Sequence, residues 1–408
     1  MCSIYGAFGE QINETLLARI AELAGDRGRD GGRHEWYTWE QAGYVGALGN
    51  WRATPTTESE VGKRQPYEGI VHNGTIANDA ELGNPEGRID SMVLPSVLDR
   101  RSLASMQASI RRIKGSYAIA AAAEHPTIYL ATNYKPIYVL KVGSTKYFSS
   151  MERHLLPLCE FGTRPYRVQP YTVTDLRTGL SVPLPREHRE RSLVICSAGL
   201  DSTTVAYSER ERGREVGLLH FTYGCKAETR EVDRVKRIAE HLKAPLAVVP
   251  LDYSQFVGSS PLLNGSEISG GVEGAEFAHE WVPARNLVML ALATAFAEAN
   301  GYTYIALGNN LEESGAYPDN EEEFTYLMNQ ALDYAVHDGG QVRIESPVGN
   351  LMKHEIVKLG TELGVPYELT WSCYRDGEYH CGRCGPCYMR REAFKRNGLN
   401  DPTTYEVG

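Results

Sequence analysis

The chain has 408 residues, 42% of them hydrophobic, which leaves room for two or three domains with real cores. Its formal net charge of −10 is the wrong balance for a polynucleotide binder, which must neutralise phosphates, so a small-molecule substrate is expected and nucleic acid enters only as a modified acceptor. No apolar run approaches the ~18–20 residues needed to cross a bilayer, and Met1-Cys2-Ser3 lacks the charged start of a signal peptide, so a cytoplasmic protein without membrane contact is expected. Composition leaves the oligomeric state open.

The first residues are Met1-Cys2-Ser3-Ile4-Tyr5-Gly6. A residue as small as Cys2 permits removal of the initiator methionine, which places a thiol and a free α-amine on one residue. An α-amine with a pKa of about 8 can act as base for a neighbouring nucleophile. On these residues alone an ordinary terminal cysteine is the competing reading. Further on, Trp51-Arg52-Ala53-Thr54-Pro55 follows an expected strand from Gly43 to Leu48 and offers an arginine fork for a carboxylate. His72-Asn73-Gly74 follows Ile70-Val71 and sets a side-chain amide beside a glycine N–H, the donor pair of an oxyanion hole. Ile89-Asp90-Ser91 supplies an acid for an ammonium group. Arg52 and Asp90 together would grip the backbone ends of an amino acid, with Cys2 aimed at its side-chain carbonyl.

Cys2, Arg52, Asn73-Gly74, Asp90 and Lys114-Gly115-Ser116-Tyr117-Ala118 follow the order and spacing of class II glutamine amidotransferases, and residues 2 to about 160 resemble that family. The resemblance implies an N-terminal-nucleophile (Ntn) domain of four α/β/β/α layers that hydrolyses glutamine to glutamate and ammonia. By transfer, Cys2 is the nucleophile, Asn73 and Gly74 stabilise the oxyanion, and Arg52 and Asp90 bind glutamine. Ser3 departs from the family's usual glycine. Around Leu180 to Arg191 two prolines and alternating charges break the periodicity and suggest a linker, giving domains 2–185 and 190–408.

In the second half strand and helix patterns alternate, as in an open parallel sheet. Strands are expected at Leu193 to Cys196, Val216 to Phe221, Leu246 to Pro250 and Thr303 to Leu307, and helices from about Ser202, over Glu228 to Leu242 and over Asn286 to Asn300. Ser197, Ala198, Gly199, Leu200, Asp201 and Ser202 form the first strand-to-helix turn, with hydroxyls and open N–H groups suited to a phosphate. No lysine of the triphosphate loop is present, and Asp201 would repel a phosphate without a cation such as Mg²⁺, a combination that suits ATP held by its pyrophosphate. A plain polar turn with Asp as a cap is the alternative for these six residues. The loops Ser197–Ser202, Tyr223–Arg230 and Gly308–Asp319 all follow strands and should meet in one crevice.

Eight cysteines in so long a chain, four of them crowded at Cys373, Cys381, Cys384 and Cys387, indicate a metal site more than a disulfide framework. Four thiolates at this spacing close a tetrahedral, structural Zn²⁺, with an iron–sulfur cluster as the remaining possibility.

Ser197–Ser202, Tyr223-Gly224, Val282–Asn286, Ser314–Asp319, Lys353–Val357 and Leu369-Thr370-Trp371-Ser372-Cys373-Tyr374 with the later cysteines resemble the 7-cyano-7-deazaguanine synthase (QueC-like) family, a branch of the ATP-pyrophosphatases with an adenine nucleotide alpha hydrolase-like fold. The resemblance implies that ATP activates the C7 carboxylate of a 7-deazaguanine as an adenylate, that ammonia displaces AMP, and that the amide is dehydrated to the nitrile. Ser197, Gly199, Asp201 and Ser202 would hold ATP and Mg²⁺; Tyr223, Cys225, Arg285, Asp319 and Lys353 are candidates for the deazaguanine site.

Three departures from the family sit on the expected crevice loops: Ala198 replaces a glycine, Cys225-Lys226 replace Gln-Arg, and Asn320-Glu321 replace Cys-Arg. Fusion to a glutaminase resembles the amidotransferase-linked synthases of archaeosine-type modification. Two reactions compete. The loop departures favour addition of ammonia to 7-cyano-7-deazaguanine to give a formamidine, with Cys225 as a candidate for a covalent thioimidate. Retention of Ser197–Ser202 favours ATP-dependent conversion of 7-carboxy-7-deazaguanine to the nitrile. An asparagine-synthetase-like ligase and a non-catalytic nucleotide-binding module are more remote, since the cysteine cluster and Trp371–Tyr374 are foreign to the former.

Overall fold

The computed structural model describes residues 2–28, 36–53, 65–84, 89–160, 162–186, 188–258, 260–271, 280–337 and 340–406. The chain divides into two compact units, Met1–Arg186 and Glu187–Gly408.

The first unit is built on two antiparallel sheets. One runs β2 (Tyr37–Gln41), β3 (Tyr44–Trp51), β1 (Ser3–Gly9), β8 (Thr145–Ser149), β7 (Tyr138–Val142), β9 (Tyr166–Arg167); the other runs β11 (Ser181–Pro183), β10 (Thr172–Asp175), β6 (Ile128–Thr132), β5 (Gly115–Ala122), β4 (Ile70–Ile76). Side chains alternate between the faces of a strand, and that alternation builds the layers. On β1, Ile4 and Phe8 pack with Val71, Ala118, Ala120 and Leu130 of the other sheet. Tyr5 and Ala7 pack instead on helix α1 (Glu14–Ala24) through Leu17, Ile20 and Ala24. On β5, Tyr117, Ile119 and Ala121 turn outward to helix α2 (Leu103–Ile110) at Met106 and Ile110. The result is an α/β/β/α stack. A strand covered on both faces is apolar throughout, so β1 is buried along its whole length and carries no alternating pattern to read.

The expected linker at Leu180–Arg191 is partly a strand. Within it β11 pairs antiparallel with β10 from Thr172↔Pro183 to Thr174↔Ser181, and Arg191 already opens the next strand, β12 (Arg191–Ile195). Proline is tolerated there because β11 is an edge strand with no ladder to feed on its outer side.

In the second unit five strands pair in parallel in the order β14 (Leu246–Pro250), β13 (Glu215–Thr222), β12 (Arg191–Ile195), β15 (Tyr304–Ala306), β16 (Arg343–Glu345). Val194 and Leu218 face one core with helices α3 (Leu200–Glu211), α4 (Glu228–Leu242), α7 (Lys353–Glu362) and α8 (Gly385–Arg396). Leu193 and Leu219 face the other, with α5 (Arg285–Asn300) and α6 (Glu322–Ala335). Chain order reverses at β12, so a crevice opens beyond the carboxyl ends of the central strands. The helix expected from about Ser202 begins at Leu200, because Gly199 takes the N-cap.

Phe148 is wholly buried between the sheets of the first unit. Phe148→Ala should lower that unit's stability by roughly 3–5 kcal/mol, read as an earlier urea midpoint; an unchanged midpoint would contradict the sandwich core.

Candidate functional site

In the first unit Ser3 pairs with Trp51 across β1 and β3, which brings Arg52-Ala53 beside Cys2. The Ala53 N–H points at Cys2 Sγ at 3.5 Å, and the thiol donates to the Ala53 carbonyl at 3.6 Å. Arg27 and Lys135 lie within electrostatic reach of the same sulfur, both held below their ordinary values chiefly by burial. Asn50 Nδ2 donates to the Ser3 carbonyl at 3.1 Å and to the His72 carbonyl at 3.4 Å, tying the start of β1 to β4. On β4, Asn73 is buried and its Nδ2 has no hydrogen-bond partner among the described residues. That leaves a donor available where an oxyanion needs one. Gly74 follows with φ +154, and a Cβ there would fall 1.9 Å from the Ser116 carbonyl, so only glycine lets β4 pass β5 this closely.

Asp90 is held rigidly. Its Oδ2 accepts from the Ile76 N–H at 2.6 Å, its Oδ1 accepts from the Ser91 N–H at 2.6 Å and hydroxyl at 3.0 Å, and Ser91 Oγ lies 2.8 Å from His72 Nδ1. Burial lowers the His72 pKa, which leaves it neutral. Asn50, His72 and Ser91 were not foreseen as supports, since their roles come from cross-strand neighbours. Met1, Thr54 and Pro55 lie outside the described residues.

In the second unit a cavity of about 260 Å³ opens beyond the central strands and is lined by Ser197, Gly199, Leu200, Asp201 and Ser202 together with Tyr223, Cys225, Arg285 and Lys353. Gly199 caps α3 without a side-chain bond, leaving first-turn N–H groups facing the cavity. Ala198 adopts φ +63, the left-handed region that favours glycine, at a cost of roughly 1–2 kcal/mol. Its methyl is wholly buried in the core, which offsets part of that strain, and its carbonyl accepts from the Trp371 N–H at 2.8 Å. Gly308 brings the loop after β15 against α3; a Cβ there would meet the Ser202 nitrogen at 2.9 Å.

Lys353 sits at the centre of the charged wall. Its Nζ lies 3.0 Å from Asp201 Oδ2 and 2.7 Å from Glu313 Oε1, and all three face the cavity. Burial pushes Asp201 up to about 6, with Lys353 pulling against it and Glu313 adding to it. Burial opposes charge on Glu313 too, yet the ammonium beside it keeps it below the usual carboxylate range. Burial likewise opposes charge on Lys353, but the two carboxylates raise it above its ordinary value. The trio therefore carries an excess negative charge, and Asp201 Oδ1 is buried without a partner among the described residues. A hard cation fits that oxygen, and Mg²⁺ is the one suited to phosphates.

On the opposite wall Arg285 donates to the Tyr223 hydroxyl at 3.1 Å. Burial pushes Glu231 up to about 7 against Arg285, and Cys225 donates to it across 3.9 Å. Burial, then Glu231, push Cys225 up to about 12. A neutral thiol is a poor nucleophile, which argues against the covalent role weighed for Cys225. Asp319 does not line the cavity; its neighbour Asn320 does, donating to Glu313 Oε2 at 3.4 Å and accepting from Asn286 Nδ2 at 3.2 Å. His220, also unforeseen, lies 2.8 Å from the Cys196 carbonyl through Nδ1, and its buried Nε2 has no partner among the described residues.

Cys373, Cys381, Cys384 and Cys387 place their sulfurs within 4.8 Å of one another. Tetrahedral Zn²⁺ with Zn–S of about 2.3 Å needs sulfurs roughly 3.8 Å apart, so the set fits zinc. The Arg375 and Cys381 N–H groups point at Cys373 Sγ, and the Cys384 N–H at Cys381 Sγ, each at 3.4 Å, a support for thiolates. This knot braces the cavity, because Trp371, Ser372, Tyr374 and Arg390 line it. Arg390, 1% exposed, is bound to both Asp401 oxygens at 3.1 Å and donates to the Thr370 hydroxyl and the Tyr367 carbonyl. The purified chain should carry one zinc per molecule, lost in Cys381→Ser together with thermal stability; metal analysis without zinc would contradict this.

No helix among the described residues is long and apolar enough to cross a membrane. A family model described as "Queuosine biosynthesis protein QueC" matches residues 191–398. The 7-cyano-7-deazaguanine synthase 2 of Sulfurisphaera tokodaii is 45% identical over 387 residues, covering 88% of this chain and 84% of the relative. The 7-cyano-7-deazaguanine synthase of Methanothrix thermoacetophila is 38% identical over 223 residues, covering 53% of this chain and 99% of itself. Among solved structures, the glutamine phosphoribosylpyrophosphate amidotransferase of B. subtilis aligns over 100% of this chain and 98% of that one at 13% identity and a TM-score of 0.35, too slight a likeness to bear on the fold. The family match over the second unit and the 45% identical relative, 84% of which is covered, make the chain a member of the QueC family and a 7-cyano-7-deazaguanine synthase-like enzyme.

Proposed function

We propose that the chain converts 7-carboxy-7-deazaguanine to 7-cyano-7-deazaguanine with ATP, drawing its nitrogen from glutamine. The observation that carries this reading is the buried Lys353 between Asp201 and Glu313 beside a helix start with no side-chain cap, a wall that suits a cation-bound polyphosphate. Relatives named for the nitrile product support it better than the formamidine expected from the loop departures.

In the first unit the Cys2 thiol attacks the glutamine side-chain carbonyl, its proton passing to the α-amine. Asn73 Nδ2 and the Gly74 N–H hold the oxyanion while Arg52 takes the α-carboxylate and Asp90 the α-ammonium; the Cys2 amine returns its proton to the amide nitrogen so that ammonia leaves, and water, deprotonated by the same amine, opens the remaining thioester to release glutamate. In the second unit the open N–H groups of α3 and the hydroxyls of Ser197 and Ser202 hold ATP phosphates, and Lys353 balances their charge. Mg²⁺, held by Asp201, would supply the neutralisation that lets the α-phosphate be attacked. Arg285 orients the C7 carboxylate as it displaces pyrophosphate. Ammonia then displaces AMP to give the amide; the amide oxygen displaces pyrophosphate from a second ATP, and loss of two protons and of that oxygen on AMP gives the nitrile.

The deciding experiment incubates the chain with glutamine, with and without ATP, against the carboxy, amido and cyano compounds. Product from the acid with AMP formation supports the reading; product from the cyano compound without ATP would overturn it in favour of the formamidine. Cys2→Ala should lower glutamine-fed turnover at least about 1,000-fold while ammonium-fed turnover persists; retained glutamine use would sink the role of Cys2.

A pH dependence follows from Asp201. Its native pKa lies above the unfolded carboxylate value, so the native chain binds the extra proton below about pH 6. Protonation removes the charge that holds the cation, so kcat/KM for ATP should fall about tenfold per unit below pH 6. A flat profile down to pH 5 would contradict the assignment.

A further inference from the structure

Among the described residues that line the cavity, the carboxylates are Asp201, Glu231 and Glu313. Asp201 and Glu313 flank Lys353 and are accounted for by its ammonium. Glu231 is not. An acid in the first turn of a helix ordinarily stands in water, where it complements the positive end of the helix dipole. This one, in the first turn of α4, lines the cavity, and the hydrogen bond it accepts comes from a thiol, Cys225 Sγ at 3.9 Å. A thiol is a weak donor, so the carboxylate keeps most of its accepting capacity unused. Arg285 lies within electrostatic reach on the same wall but gives its Nη1 to the Tyr223 hydroxyl at 3.1 Å, and Arg390 is taken up by Asp401. Tyr223, Trp371 and Tyr374 border the same space.

We propose that Glu231 reads the base, its two oxygens accepting from the N1–H and the 2-amino group of a 7-deazaguanine. This rests on the cavity taking a 7-deazaguanine, whichever reaction follows there. A guanine-type ring carries those two N–H donors side by side on one edge, and a carboxylate sets two acceptors side by side to meet them. His220 matches that edge less well. Its Nδ1 meets the Cys196 carbonyl at 2.8 Å and must be the donor, so in the neutral ring that burial favours Nε2 offers a single lone pair. An adenine ring would turn a bare ring nitrogen to the same carboxylate, a lone pair against a negative charge, so Glu231 also keeps the base of ATP out of this slot. The aromatic rings beside it suit the faces of a flat heterocycle. Burial pushes Glu231 up to about 7, with Arg285 opposing that and Glu228 and Asp376 adding to it. Two N–H groups of a ligand would replace the solvation the carboxylate has lost, so binding favours its ionised form.

Calorimetry on the full chain with 7-cyano-7-deazaguanine and with 7-cyano-7-deazahypoxanthine, which lacks the 2-amino group, separates this role from a structural one. The unaltered chain should bind the hypoxanthine compound about 100-fold more weakly. In Glu231→Gln the guanine-type compound should lose about 100-fold in affinity and the ratio between the two ligands should close to within about threefold. A substitution that merely loosened the wall would weaken both ligands alike and leave the ratio intact. Far-UV circular dichroism and zinc content check the fold, and Glu231→Ala serves if the glutamine variant fails to fold. Affinity of the unaltered chain for 7-cyano-7-deazaguanine should fall by up to about tenfold per unit below pH 7, and the glutamine variant should show no such fall. A ratio near one in the unaltered chain, an undiminished ratio in the variants, or affinity that rises as pH falls would overturn the role of Glu231. A chain that binds neither compound would overturn the 7-deazaguanine reading itself, and this site with it.

Discussion

A lysine removed from water is tolerable only beside carboxylates, and Lys353 has two. Its ammonium joins Asp201 from the turn after β12 and Glu313 from the loop after β15, while its own backbone N–H, at the first turn of α7, donates to Glu312 at 3.0 Å. Three segments far apart in sequence are thereby fixed at the carboxyl ends of the parallel strands. Burying an ion pair contributes little net stability, because desolvation of both charges opposes their attraction. The value of this one lies in what is left over. Two carboxylates against one ammonium leave a negative charge and an oxygen unpartnered among the described residues, which under the proposed function would take a cation.

The same economy shapes the rest of that cavity. The four-cysteine knot lies outside the sheet, yet its lead-in, Trp371 to Tyr374, is the cavity wall, anchored by the Trp371 N–H on the Ala198 carbonyl and by Arg390 beneath Thr370 and Ser372. A zinc held by these four thiolates would brace that wall. In the first unit hydrogen bonds across the strands supply the rigidity. Asn50 crosses from β3 to β1 and β4, and Asp90 spends all its near bonds on Ile76 and Ser91, so Cys2, Asn73 and the acid are set by strand register rather than by flexible loops.

How much of this was legible depended on whether a feature is local. The helix Glu228–Leu242 and the strand Leu246–Pro250 appear with the bounds their periodicity gives, because a polar-faced helix and a short apolar run bounded by turns are local signals. The cysteine cluster was legible from spacing alone. Strand β11 was hidden by prolines that an edge position accommodates. Glu313 and Glu231 were missed as cavity groups, since a glutamate on a polar helix turn resembles any solvated residue until tertiary packing buries it. Asn320 lines the cavity while Asp319, one residue earlier, acts on Arg285 only through its charge, a distinction that turn geometry decides. The company of Glu231, which with burial holds the Cys225 thiol in its neutral form, is three-dimensional and no motif records it.

The account's central claim is that nitrogen released at Cys2 replaces oxygen on a carbon activated by ATP beside Lys353. It is tested most directly by supplying 7-carboxy-7-deazaguanine labelled with ¹⁸O in its carboxylate, glutamine labelled with ¹⁵N in its amide, and ATP, and then weighing nitrile and AMP. The account predicts ¹⁵N in the nitrile and ¹⁸O in the phosphate of AMP. Unlabelled AMP, or a nitrile without ¹⁵N, would contradict it.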